Sequence, residues 1–259
     1  MKNWFLLFIF SEIWASNFNI IIEDELAEPF SFIINKDELK EIATRIWANE
    51  CGKSKDLKIK NLIHWNKNED HASVGIMHFT WSRYPVLNDQ FALLREYIKR
   101  ESGLTLPNKL NGFCPWKSRE DLLKNFDGEL AKALREYLMK TVILQAKFVI
   151  LERFKNSLNK MYEMATSLEE KYHIQEQFYR LLKCPKGLFV LVDTLNLSGE
   201  KGLFNALLEM NGTGSCQQAL EEFVDIRIKR FHYLVNNNSK LAIFINGWEN
   251  RVKDYLVNV

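Results

Sequence analysis

The chain has 259 residues, of which 47% are hydrophobic, 13% aromatic and 26% charged. That length suffices for one large domain or two small ones with a sizeable core, and the hydrophobic fraction excludes wholesale disorder. Eleven Gly and five Pro exclude a collagenous or low-complexity chain, and a net charge of +2 excludes a strongly basic nucleic-acid binder read on charge alone. Few helix breakers beside many Leu, Glu, Lys and Phe favour a mostly helical protein.

Residues 1–16 read as a secretory signal. Lys2 supplies the positive start, Trp4 to Phe10 the apolar run, and Ala15 a small residue before a cleavage point, although Glu12 interrupts the pattern. The expected mature chain, 17–259, is then a single domain, periplasmic or secreted. No later stretch reaches the ~18 uninterrupted apolar residues of a membrane span. The run from Val142 to Leu151, broken by Gln145 and Lys147, reads as a buried core helix. The four cysteines Cys51, Cys114, Cys184 and Cys216 contain no CxxC pair. In an oxidising compartment Cys51 with Cys114 is one bridge to expect, and four buried free thiols are the alternative.

Asn35 followed by Glu38 has the spacing of a helix-capping pair. Leu39, Ile42, Ala43, Ile46 and Trp47 then recur at offsets of three and four, one face of a helix that ends near Gly52. Leu57 to Trp65 and Ala72 to Trp81 partly alternate, with the polar turn Asn66 to Asp70 between them, and this predicts a small β-hairpin over 57–81. Beyond Asn88 helical patterns dominate: Phe91 to Ile98, a short helix capped by Ser118 with Asp121, Glu129 to about Ala165 as one helix or two joined near Thr141, Ser167 to Leu182, and a last long helix opened by Ser215 with Gln218. The fold class expected is α+β, predominantly helical, with a hairpin after the first helix.

Three positions past Trp47 on the same helical face stands Glu50. Burial and the negative end of the helix dipole both disfavour an ionised carboxylate there, the setting a general acid needs. Glu69, in the hairpin turn, is the second carboxylate to weigh, with Asp70 in reserve. Ser73 could hold a water or a sugar hydroxyl. Trp65, Phe79, Trp81 and Trp116 offer flat apolar faces, although core packing is the expected use of at least half of them. His78 reads as a hydrogen-bonding lock of the hairpin. Asp193, inside an apolar run, needs a buried partner, with Arg251 or Lys186 as candidates. His64, His71 and His78 recur every seven residues, which raises a metal hydrolase; without an HExxH, surface or structural histidines are the commoner reading.

The order of helix, Glu50, then Ser73-Val74-Gly75-Ile76-Met77-His78 resembles the lysozyme superfamily, whose phage-type members carry a catalytic Glu at a helix end before a Gly-Ile-Gly-His strand. Closer still are uncharacterised bacterial lysozyme-like proteins. Their motifs are matched here by Asn49-Glu50-Cys51, Trp65-Asn66-Lys67-Asn68-Glu69, Ser73 to Trp81, and Gly247-Trp248-Glu249-Asn250-Arg251, with Cys114-Pro115-Trp116 and Asp193 followed by Gly199. Met77 replaces the second glycine, and the glycine before Glu69 is missing. The resemblance implies a lysozyme-like fold and cleavage of a β-1,4-linked aminosugar polymer, most simply peptidoglycan, by a muramidase or lytic transglycosylase. Glu50, Glu69 and Ser73 would do the chemistry, and Trp65, Asn66, Asp70, His78, Phe79, Trp81 and Trp116 would bind the glycan. No metal or other cofactor is required. A catalytically inactive glycan-binding protein of the same fold is the alternative, because fold does not imply function.

Overall fold

A computed structural model of the chain describes residues 17–85 and 89–257. The expected signal segment, 1–16, lies outside the described residues, as does Asn88. Packing resolves the stretch read as one domain into two compact units, residues 17–20 with Phe32–Leu151 and Ile21–Ser31 with residues 152–257.

The chain opens with β1 (Phe18–Ile22) and β2 (Phe30–Ile34), a two-stranded sheet that the sequence reading did not anticipate. Its signal is plain in retrospect: Ile20, Ile22 and Ile34 are buried, whereas Asn19, Ile21, Ser31 and Ile33 are exposed, the period-two pattern of a half-buried ribbon.

In the first unit α1 (Lys36–Cys51) starts where Asn35 Oδ1 accepts from the Glu38 amide at 2.9 Å, and stops at Gly52, whose φ of 94° is open to glycine. Leu39, Ile42, Ala43 and Ile46 are buried along one face, as the spacing predicts. The segment expected to enter the hairpin as a strand instead begins with α2 (Lys55–Lys60). Ser54 caps it by accepting from the Leu57 amide, Asp56 lies at its positive end and Lys58 and Lys60 at its negative end. These local terms outweigh a weak alternation, since Leu57 is exposed.

The sheet that follows has three strands, β3 (Ile63–His64), β4 (Ala72–Val74) and β5 (Phe79–Trp81), in that order and antiparallel. The continuous strand expected from Ala72 to Trp81 is thus two, divided by a turn at Gly75–His78. Four helices complete the unit: α3 (Gln90–Ser102), α4 (Arg119–Lys124), α5 (Glu129–Lys140) and α6 (Val142–Glu152, its last residue falling in the second unit). The α5–α6 break falls at Thr141, at the point where the sequence offered a junction.

The second unit holds α7 (Ser157–Tyr162), α8 (Leu168–Leu182), α9 (Gly187–Glu209), α10 (Cys216–Asn237) and α11 (Ile245–Lys253). The Ser215 and Gln218 capping box opens α10 as expected. Asp24, between β1 and β2, accepts hydrogen bonds from Tyr162, Gln175 and Tyr179, tying that loop to α7 and α8. Asp193 on α9 is fully buried and is gripped by Arg251 of α11, Nε to Oδ2 at 2.9 Å and Nη2 to Oδ1 at 2.8 Å, while the Tyr255 hydroxyl donates to it at 2.7 Å. The Gly-Trp-x-x-Arg motif therefore supplies a bidentate partner for a buried charge. Among the described residues no helix is long and apolar enough to cross a membrane.

Candidate active site

Glu50 occupies the last turn of α1, and its side chain is only 16% exposed. One carboxylate oxygen, Oε2, lies 3.8 Å from His78 Nδ1. His78 stands at the end of the β4–β5 turn with φ 52°. Its Nε2 is 3.2 Å from the Asn61 carbonyl oxygen, which can only accept, so the proton sits on Nε2 and Nδ1 is turned to Glu50. His78 therefore ties its turn to the Asn61 carbonyl and also lies beside Glu50.

The turn that carries His78 is tightly specified. Gly75 has φ 81°, and its amide donates to the Leu62 carbonyl at 2.9 Å. The Ile76 amide donates to Gln145 Oε1 at 2.8 Å, and Gln145 Nε2 donates to the Leu138 carbonyl and to Thr141 Oγ1. Gln145 is fully buried. Its only signal in the sequence is a polar residue interrupting an apolar core helix, which does not say which backbone group it serves. Met77 is buried and is not among the described residues with positive φ, so this backbone accepts a side chain where the resembling family has glycine.

Register then distributes the strand side chains. Ile63, Val74 and Phe79 are aligned across the sheet, and so are His64, Ser73 and Thr80. Alternation places these two rows on opposite faces. The first row faces the core, and the second is polar, with Ser73, itself buried, between the half-buried His64 and Thr80. The His64 ring stacks on His78, centroids 5.6 Å apart. His64 Nε2 lies 2.8 Å from Asn66 Oδ1, and Asn66 Nδ2 donates to Glu69 Oε1 at 2.8 Å. A continuous line of contacts thus joins Glu50, His78, His64, Asn66 and Glu69. Of this line His64 was weighed in the sequence only as one of a metal-binding set; its place here depends on register, as the anchoring of His78 depends on the Asn61 backbone carbonyl, and a residue type announces neither.

Glu69 is steadied further, its Oε2 lying 3.5 Å from His71 Nε2. Asp70 points into solvent with its side chain 93% exposed, and a hydrogen bond with His71 holds its carboxyl below the usual range. The three histidines do not act as one set: His64 and His78 stack, and His71 engages the two turn carboxylates. Among the described residues no three His, Cys, Asp or Glu are grouped to hold a metal ion.

The aromatic assignments need correction. Trp65, Phe79, Trp81 and Trp116 are 4%, 3%, 0% and 4% exposed, so none offers an open ring face to a sugar. The Trp65 indole donates to the Glu69 carbonyl, and that of Trp81 to the Gly112 carbonyl. Trp81 packs edge-on against Phe91 and Trp116, and Phe79 against Phe148. Their number and hydrophobic area were better used in the core than at a surface.

The expected Cys51–Cys114 bridge is also absent, and all four cysteines are free. Cys51 lies with Asn61, Gly75 and His78, whereas the Cys114 backbone amide bonds to Ser82 in the loop after β5. Burial first, and the neighbouring Glu50 charge second, push the Cys51 thiol up to about 12. It stays protonated beside the acid.

No family model matches the chain, nor does any curated protein or solved structure.

Proposed function

We propose that the protein cleaves a β-1,4-linked aminosugar polymer, most simply peptidoglycan, on a lysozyme-like arrangement of helix and three-stranded sheet, with Glu50 as general acid. The observation that carries this reading is the polar line from Glu50 at the end of α1, through His78 of the β4–β5 turn and His64 of β3, to Asn66 and Glu69 of the β3–β4 loop. Glu50 delivers a proton to the glycosidic oxygen as the bond to the anomeric carbon breaks, and Glu69 supports the positive charge that develops there or draws a proton from the attacking hydroxyl. Ser73 is 7% exposed between His64 and Thr80, which corrects its expected part in the chemistry: like the aromatics, it presents no open surface to the glycan. Attack by water gives a muramidase, and attack by the sugar's own hydroxyl gives a lytic transglycosylase. Asn66 and His78 position the two carboxylates. A periplasmic or secreted location suits this substrate.

The test is turnover of purified peptidoglycan, with products read by mass spectrometry. Reducing ends denote hydrolysis and anhydro ends transglycosylation. Glu50→Gln is expected to keep the fold and to lower turnover by ~10²-fold or more, and Glu69→Gln to do likewise, whereas Asp70→Asn changes little. A Glu50→Gln protein of nearly full activity overturns the assignment. Wild-type protein that sediments with peptidoglycan and releases nothing identifies the non-catalytic alternative.

A further inference from the structure

Gly199 interrupts α9 with φ 65° and ψ −176°, a conformation open to glycine and not to other residues. Beyond it the helix restarts and runs from 200 to 209, and its first turn, with Lys201 and Gly202, borders a cavity of about 220 Å³ inside the second unit. Ser198, Arg227, Arg230, Phe231 and Trp248 are among the other walls. No carboxylate lines this space, whereas three cations do.

Arg227 is the unusual member. It is 2% exposed, and among the described residues its one hydrogen bond runs from Nη1 to the Gly202 carbonyl at 3.3 Å. Its Nε and Nη2 are buried and have no partner among the described residues. Phe231 lies against the guanidinium, 5.0 Å from it, and covers one flank without satisfying a donor. The carboxylate near enough to act on it is Asp193, but both oxygens of Asp193 already accept from Arg251, and Oδ2 also from Tyr255. A buried guanidinium with two idle donors is costly, and an anion in the adjoining space removes that cost. The positive end of the restarted helix acts in the same sense. Lys201 and Arg230 form no ion pair among the described residues, so their charge is also available. Phe231 and Trp248, 5.3 Å apart between ring centroids, make the apolar side of the cavity.

We propose that this cavity is a binding site for a small organic oxyanion of phosphomonoester type, its charged head on Arg227, Arg230 and Lys201 and its apolar body against Trp248 and Phe231. The site does not depend on the chemistry assigned to Glu50.

The experiment is calorimetric titration of the full chain with inorganic phosphate and with phenyl phosphate, at constant ionic strength maintained with chloride. Saturable one-to-one binding is expected for both, tighter for phenyl phosphate. Arg227→Met weakens both at least tenfold. Should that variant not fold, Lys201→Ala with Arg230→Gln, at positions that are not buried, carries the same expectation. Trp248→Ala lowers the affinity for phenyl phosphate and leaves that for inorganic phosphate. Heats no larger than those of the chloride control, or an unchanged affinity in the double variant, overturn the proposal. Equal affinity for the two probes overturns the role of the aromatic wall.

Discussion

His78 is held at Nε2 by the Asn61 carbonyl and turns Nδ1 to Glu50, 3.8 Å away. An imidazole so placed can relay a proton without turning its ring, which suits the role proposed for Glu50. Its φ of 52° is a conformation that asparagine tolerates better than most residues. His78→Asn therefore keeps the turn and deletes the ring. Turnover is expected to fall about tenfold or more, as for loss of a group assisting proton transfer, with KM little changed. A loss confined to KM points instead to a binding role. The buried thiols make a second prediction at this scale. Cys51, Cys114 and Cys184 each move from 9.0 to about 12 on folding, with burial the largest cause. The folded state then binds more protons than the unfolded state between those values. The stability this confers is complete below pH 9 and is lost as pH rises toward 12. Urea midpoints are expected to fall above pH 9, and less steeply in Cys51→Ala than in wild type. Identical slopes in the two proteins dismiss this account.

Among the elements, the β4–β5 turn does most to place the site, and glycine is needed there for two reasons. A Cβ on Gly75 meets Gln145 Oε1 at 2.4 Å and Phe79 at 3.1 Å, and the φ of 81° disfavours any side chain. Making room means moving the oxygen that receives the Ile76 amide. Gly75→Ala is expected to cost about 2–4 kcal/mol, the sum of backbone strain and one compromised buried hydrogen bond, measured by urea unfolding. A loss under ~0.5 kcal/mol means that the turn relaxes. Long capped helices such as α1 at Asn35 and α10 at Ser215 were legible because the cap and the 3.6-residue period act within a few residues of each other, whereas α2, capped at Ser54 but six residues long, has too few turns to show a period. The turn was not, because alternation continues through Ala72 to Trp81 whether or not the chain reverses. What reverses it is Gly75 together with Gln145, 70 residues away in sequence.

Each of the two units has its own core. Trp81, Phe91 and Leu94 are fully buried in the first, and Phe154, Phe178 and Phe223 in the second. Units with separate cores can lose protection separately. Phe178→Ala removes a ring stacked on Phe154 at 5.5 Å and is expected to cost ~3–5 kcal/mol. Hydrogen exchange should then quicken through 152–257 while amides of 36–151 keep more of their protection. Equal acceleration in both shows that the chain unfolds as one. At this scale the sequence by itself determined the helical class, most helix starts and the place of Glu50 at a helix end, since these follow from propensity, caps and periodicity over a few residues. Only the tertiary structure decided that the aromatics are core, that Asp193 pairs with Arg251, and that Glu50 and Glu69 join through His78, His64 and Asn66. Those outcomes depend on register and burial, which are set when distant segments compete for the same apolar space and the polar groups left over must find partners.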